Sequence, residues 1–156
     1  MTRRAATVGV PDTVPSGAFV VDASVAAAWF LPDEATPYTE AALTATAGGQ
    51  VWVPALWRLE IGNLLLGAER RRLITSGKRA ELVAIAATVR LQVDREPVDM
   101  VELDALAARH GLTTYDASYL ELAQRRRLPL ATLDRALLAA MPSAGVTRAA
   151  LATGAD

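Results

Sequence analysis

"AFVVDASVAAAWF", Ala18–Phe30, joins a short apolar run ending at Val21 to an alanine-rich segment, with Asp22 at the joint. The run reads as a buried strand, and the residues after it favour helix. In open α/β sheets ligands bind beyond the carboxyl ends of strands, which makes Asp22 a candidate site residue. Its plainer reading is an N-cap for the helix that follows, where Ser24 could also help.

The same unit recurs outward from there. "VWVP", 51–54, precedes "ALWRLEIGNLLLGAERRRL", whose apolar positions cover most of a helix circumference. "LQVDREPV", 91–98, reads as a connecting strand or extended segment before the amphipathic "DMVELDALAARH", 99–110, with Gly111 placed as a left-handed cap. "LPLATLD", 128–134, is a short strand that delivers Asp134 to the start of "DRALLAAM". "TEAALTATA" before Gly48-Gly49, "TSGKRAELVAIAATVRL", and a segment from about Tyr115 to Arg126 read as further helices, and "GVTR" as a last strand or tail. Strands alternating with helices predict a parallel sheet covered by helices on both faces.

Composition narrows the chemistry. With 156 residues, 52% hydrophobic and 21% charged, the chain suits one domain with a real core. It has no cysteine and a single histidine, His110, which excludes thiolate, disulfide and multi-histidine sites. The longest apolar stretches are broken by Asp22, Arg58 and Glu60, so no membrane span is expected. The opening "MTRRAATVGVPDTVPSG" lacks the apolar core of a secretory signal, and a cytoplasmic protein is the default. We divide the chain into a flexible N-terminal extension over 1–17, a domain over 18–148 and a tail over 149–156. The net charge of −1 gives no global attraction for nucleic acid. Arg70-Arg71-Arg72 and Arg125-Arg126-Arg127 could bind phosphate, but each also suits a helix C-terminus.

Four acids stand out. Asp22 and Asp134 each follow a strand, and neighbouring strands would bring them to one sheet edge. Glu60 sits between Leu59 and Ile61 in a mostly apolar helix, with Asn63 three residues on along the same face. Asp116 opens a helix whose cap could be Thr114 or Asp116 itself. Carboxylates about 4 Å apart repel by roughly 4 kcal/mol per pair at an effective dielectric near 20, so such a cluster needs protons or a cation. All-oxygen ligands select Mg²⁺ or Mn²⁺, and a carboxylate-held cation suits phosphodiester hydrolysis. Asp99, Glu102 and Asp104 read as a solvated helix face, Asp94 and Glu96 as a connecting segment without a role, and Trp29, Trp52 and Trp57 as packing residues.

In this order the acids resemble the PIN-domain family, most closely its VapC-type ribonuclease toxins. "VVDASV", "PALWRLEIGNLL", "HGLTTYDASYLELA" and "LPLATLDRAL" carry the resemblance, from about Phe19 to Val146. It implies a three-layer α/β/α sandwich and a Mg²⁺- or Mn²⁺-dependent endoribonuclease with its acidic site on Asp22, Glu60, Asp116 and Asp134. Ser24, Asn63 and Thr132 match supporting polar positions. The resemblance also implies a homodimer, an RNA substrate, and a cognate antitoxin protein that wraps the toxin and obstructs its site. The alternative is a catalytically silent PIN-like module that binds RNA or protein. A haloacid-dehalogenase-like phosphatase would need a second acid where Ser24 stands, and a receiver domain a lysine after a late strand, whereas Lys78 lies in a helix.

Overall fold

The computed structural model describes residues 17–152, so the expected extension, apart from Gly17, and the end of the expected tail lie outside the described residues. Four parallel strands, β1 (Phe19–Val21), β2 (Val51–Pro54), β3 (Gln92–Asp94) and β4 (Leu130–Ala131), form one sheet in the order β3-β2-β1-β4. Among the described residues seven α-helices connect and cover them. These are α1 (Ala23–Phe30), α2 (Pro37–Ala45), α3 (Trp57–Arg70), α4 (Ser76–Thr88), α5 (Met100–His110), α6 (Thr114–Arg126) and α7 (Arg135–Ala140). The architecture is the three-layer α/β/α sandwich expected from the sequence. Among the described residues no helix is long and apolar enough to cross a membrane.

All three residues of β1 are buried, as a central parallel strand with both faces covered requires. β1 pairs with β2 on one side and with β4 on the other, Val20 facing Leu130 and Val21 facing Ala131. The strands that end at Asp22 and before Asp134 are therefore neighbours, and their carboxyl ends share one edge. α6 lies against β1, β2 and β4 and buries Tyr119, Leu120 and Leu122. α1 packs with α2 and α3.

Several helix ends follow the sequence signals. Gly111 closes α5 in the left-handed conformation (φ 65°), where a Cβ would be strained. The tripeptides of arginine lie at the C-terminal ends of α3 and α6, the dipole-complementing reading. Other ends differ. The cap of α6 is Thr113, whose hydroxyl accepts from the Asp116 N–H at 3.1 Å, rather than Thr114 or Asp116. Ser24 lies inside α1 and does not cap it. "GVTR" forms a single bridge from Arg148 to Leu130 and no strand. The chain stays packed beyond it, for Ala149 donates its N–H to the Leu130 carbonyl at 3.0 Å and is buried.

Asp94, read from sequence as having no role, is buried at 5% exposure at the end of β3. Arg125 Nη2 donates to its Oδ2 at 2.6 Å and Arg126 Nη2 to its Oδ1 at 2.7 Å, tying the last turn of α6 to an edge strand. Arg125 also reaches Glu121 at 2.7 Å and Glu96 at 3.0 Å, and the Arg126 guanidinium lies 3.7 Å from the Trp52 ring centre. Burial alone would raise the Asp94 carboxyl, but the hydrogen bonds and charges of Arg125 and Arg126 hold it below the usual range. Two members of the second arginine triplet are thus committed to the fold. Trp57 is buried, whereas Trp29 and Trp52 are half-buried against the core.

Candidate active site

Asp22 leaves β1 buried, at 3% exposure, and takes the N-cap position of α1 without a side-chain capping bond. Its Oδ2 instead accepts from Ser24 Oγ at 2.6 Å and from Thr132 Oγ1 at 2.8 Å. Thr132 sits just past β4, so the β1–β4 pairing delivers this hydroxyl. Ser24 Oγ also accepts from the Leu133 N–H at 3.0 Å, and Thr132 Oγ1 from the Asp134 N–H at 3.0 Å. Two hydroxyls therefore fix one oxygen of Asp22 and hold the loop that carries Asp134.

Asp134 caps α7, its Oδ1 accepting from the Leu137 N–H at 2.9 Å. Glu60, in the first turn of α3, accepts at Oε2 from the Tyr119 hydroxyl at 2.6 Å. Asp116 lies in the first turn of α6, one turn before Tyr119, so both project from one helix face. Glu60 and Asp134 each have one oxygen fixed by a protein donor, and Asp22 is held by the two hydroxyls and by the backbone N–H groups of Ala23 and Ser24. Asn63 is exposed, and no side-chain hydrogen bond joins it to these acids among the described residues.

The acids act on one another. Burial pushes the Asp22 carboxyl above the usual carboxylate range, against the opposing pull of its Ser24 and Thr132 hydrogen bonds. Burial also raises Glu60; the Tyr119 bond opposes it, and the charges of Asp22 and Asp116 add to it. Asp116 is raised by burial and then by Asp134 and Asp22, with Thr113 pulling the other way. Asp116 thus senses two of the other carboxylates and raises a third. None of the four enters an ion pair among the described residues, in contrast to Asp94.

Residues 19–141 match the PIN domain family. The chain belongs to the PIN-domain family. This PIN domain is 31% identical over 126 residues to Ribonuclease VapC3 of Pyrobaculum aerophilum, covering 80% of this chain and 95% of that protein. Its fold is shared with the crystal structure of PAE2754 from Pyrobaculum aerophilum, at a TM-score of 0.59 and 24% identity over 89% of this chain and 91% of that one.

Whether the PIN domain's acids suit a divalent cation can be judged from their chemistry. Among the described residues they do not close into a ready group of three or more ligating side chains. A hard cation such as Mg²⁺ needs only one or two carboxylates and keeps waters in its other positions. Three raised carboxyls without an ion pair among the described residues fit that demand, because a cation would relieve both burial and mutual repulsion.

Tyr119 is the residue that sequence reasoning did not single out. It is fully buried, and burial together with the Glu60 hydrogen bond and charge pushes its hydroxyl far up, so that it remains a donor. Its position three residues after Asp116 was the available signal. Tyr119→Phe keeps the core filled and releases Glu60. We expect turnover at this site to fall about tenfold with little change in KM, the cost of one hydrogen bond to a charged group. Steady-state kinetics would check it, and unchanged turnover would remove Tyr119 from the site.

The raised acids also set a pH dependence. Their folded values lie above the unfolded ones, so the folded state holds more protons and the metal-free domain loses stability as pH rises through the raised values. Asp94 acts oppositely, stabilising above the ordinary carboxylate range and losing that contribution as pH falls through its lowered value. In chelator, melting temperature should therefore fall as pH rises from the ordinary carboxylate range through the raised values of Asp22, Glu60 and Asp116. Thermal melts across that range measure it, and a curve that rises steadily over it would contradict the sign.

Proposed function

We propose that this PIN domain is a divalent-metal-dependent endoribonuclease and the toxin component of a toxin–antitoxin pair. The observation that carries the reading is the set of mutually repelling, unpaired carboxylates at one end of a parallel sheet. The likeness to Ribonuclease VapC3 supports RNA as the substrate.

Asp22, Glu60 and Asp116 would hold the cation, and Asp134 would support it or a second ion. When bound, Mg²⁺ or Mn²⁺ supplies charge opposite the phosphodiester and makes the attacking water more acidic. The protein's own part is orientation. Ser24 and Thr132 fix Asp22, Tyr119 fixes Glu60, and the α7 cap fixes Asp134, so the carboxylates are preorganised rather than recruited from solvent. In this reading the domain begins at about residue 18, forms a homodimer, resides in the cytoplasm, and is neutralised by an antitoxin that covers the acids.

Purified, antitoxin-free protein incubated with structured RNAs should cleave with Mg²⁺ or Mn²⁺ and stop with chelator, and Asp116→Asn should be inactive. The same cations should raise the melting temperature and flatten its pH dependence. Cleavage in chelator, or by Asp116→Asn at the parent rate, would overturn the metal site. An inert parent protein under all these conditions would leave a silent binding module.

A further inference from the structure

Three exposed apolar side chains each come immediately before one of the acids. Leu59 (71% exposed) precedes Glu60, Tyr115 (63%) precedes Asp116, and Leu133 (38%) precedes Asp134. They stand on different elements, the first turns of α3 and α6 and the loop after β4. The backbone at two of them is anchored to the site. The Leu133 N–H donates to Ser24 Oγ, and Thr113 caps the turn that carries Tyr115. The acids thus have an apolar rim, with one aromatic ring among two leucines.

We propose that this rim is the base-contacting surface of the substrate site, with the Tyr115 ring stacking on an unpaired RNA base beside the phosphodiester to be cut. The inference rests on the nuclease reading and deepens it. Its physical ground is that general attraction for RNA is weak here. The net charge is −1, the site itself is acidic, and Arg125 and Arg126 are bound to Asp94, Glu96 and Glu121, whereas Arg58 and Arg135 stand exposed beside Leu59 and Asp134. Phosphate contact is therefore local to such single arginines and leaves room for a second source of affinity. Stacking of bases on aromatic side chains is the other main source, and it requires bases freed from a duplex.

The pattern also differs from a protein-docking face. Here apolar residues alternate with carboxylates, whereas a contiguous apolar lining marks protein contact. Such a lining exists elsewhere, between α3 and α4, where Trp57, Ile61, Leu65, Val83, Ala86 and Val89 border one groove.

The test uses full-length Asp22→Asn protein in Mg²⁺, so that the probe is not consumed, with and without Tyr115→Ala or Tyr115→Phe. Fluorescence anisotropy is read with a labelled unstructured oligoribonucleotide and with the same strand in a duplex. Removing the ring should weaken binding of the unpaired strand about tenfold, as loss of one base stack does, and leave the salt dependence unchanged. Tyr115→Phe should bind like its parent, and the duplex should bind weakly to all three. Equal affinity of Tyr115→Ala and its parent for the unpaired strand overturns the proposal. So does an equal loss for both RNA forms, or a change confined to self-association in sedimentation, which would assign the ring to a protein contact. Cleavage by protein with Asp22 intact is scored separately. Ring-dependent binding without cleavage would sink the nuclease reading and leave the binding surface standing.

Discussion

Asp22→Asn should lower RNA cleavage on the order of 10³-fold, the several kcal/mol that one essential carboxylate contributes at about 1.4 kcal/mol per decade. Asparagine keeps an oxygen for Ser24 and Thr132, so the hydroxyl pair retains its acceptor. It removes the negative charge that burial disfavours and that raises Glu60 and Asp116. The variant should therefore melt no lower than its parent in chelator near neutral pH, while gaining less from added Mg²⁺. Loss of activity with an intact fold separates a chemical role from a structural one. Cleavage within tenfold of the parent would mean that Asp22 is not at the reacting centre.

Asp94→Ala should be the most damaging single change to stability among the charged residues. It strips two arginines of a partner at 4% side-chain exposure and leaves Arg126, over Trp52, only the longer 3.5 Å pair with the exposed Glu96. Breaking a buried ion pair from one side costs about 3 kcal/mol or more, which for a chain of this size lowers the melting temperature by about 6–12 °C. Asp94→Asn keeps the shape and one acceptor and should lose less. A shift under about 2 °C for the alanine variant would show that Glu96 and Glu121 suffice as partners.

The alternation of strand, acid and helix was legible because each signal is local. A buried strand, a residue in its last position and a helix of alanines lie within a dozen residues. What escaped was decided at long range or by a single residue of register. Asp94 looks like linker because its partners are 31 and 32 residues away. Tyr119 looks like core because its hydroxyl meets Glu60 from 59 residues away. The cap of α6 fell to Thr113 because neighbouring threonines carry the same chemistry, and only the helix start chooses between them. Asn63 shares a helix face with Glu60, but a shared face does not oblige two side chains to touch. Asp134, at the start of its helix, also caps it through Oδ1.

The hydrogen bond from Thr132 to Asp22 spans 110 residues, and the strand that delivers it begins at Leu130 of 156. During synthesis, β1 and its acid are made early and must wait for about 110 further residues before β4 can dock beside them. Such late, non-local pairing slows sheet completion. Under the nuclease reading, a nascent chain is therefore inert until residues 130–132 have been made and β4 has docked. Truncation before residue 130 would release a harmless fragment.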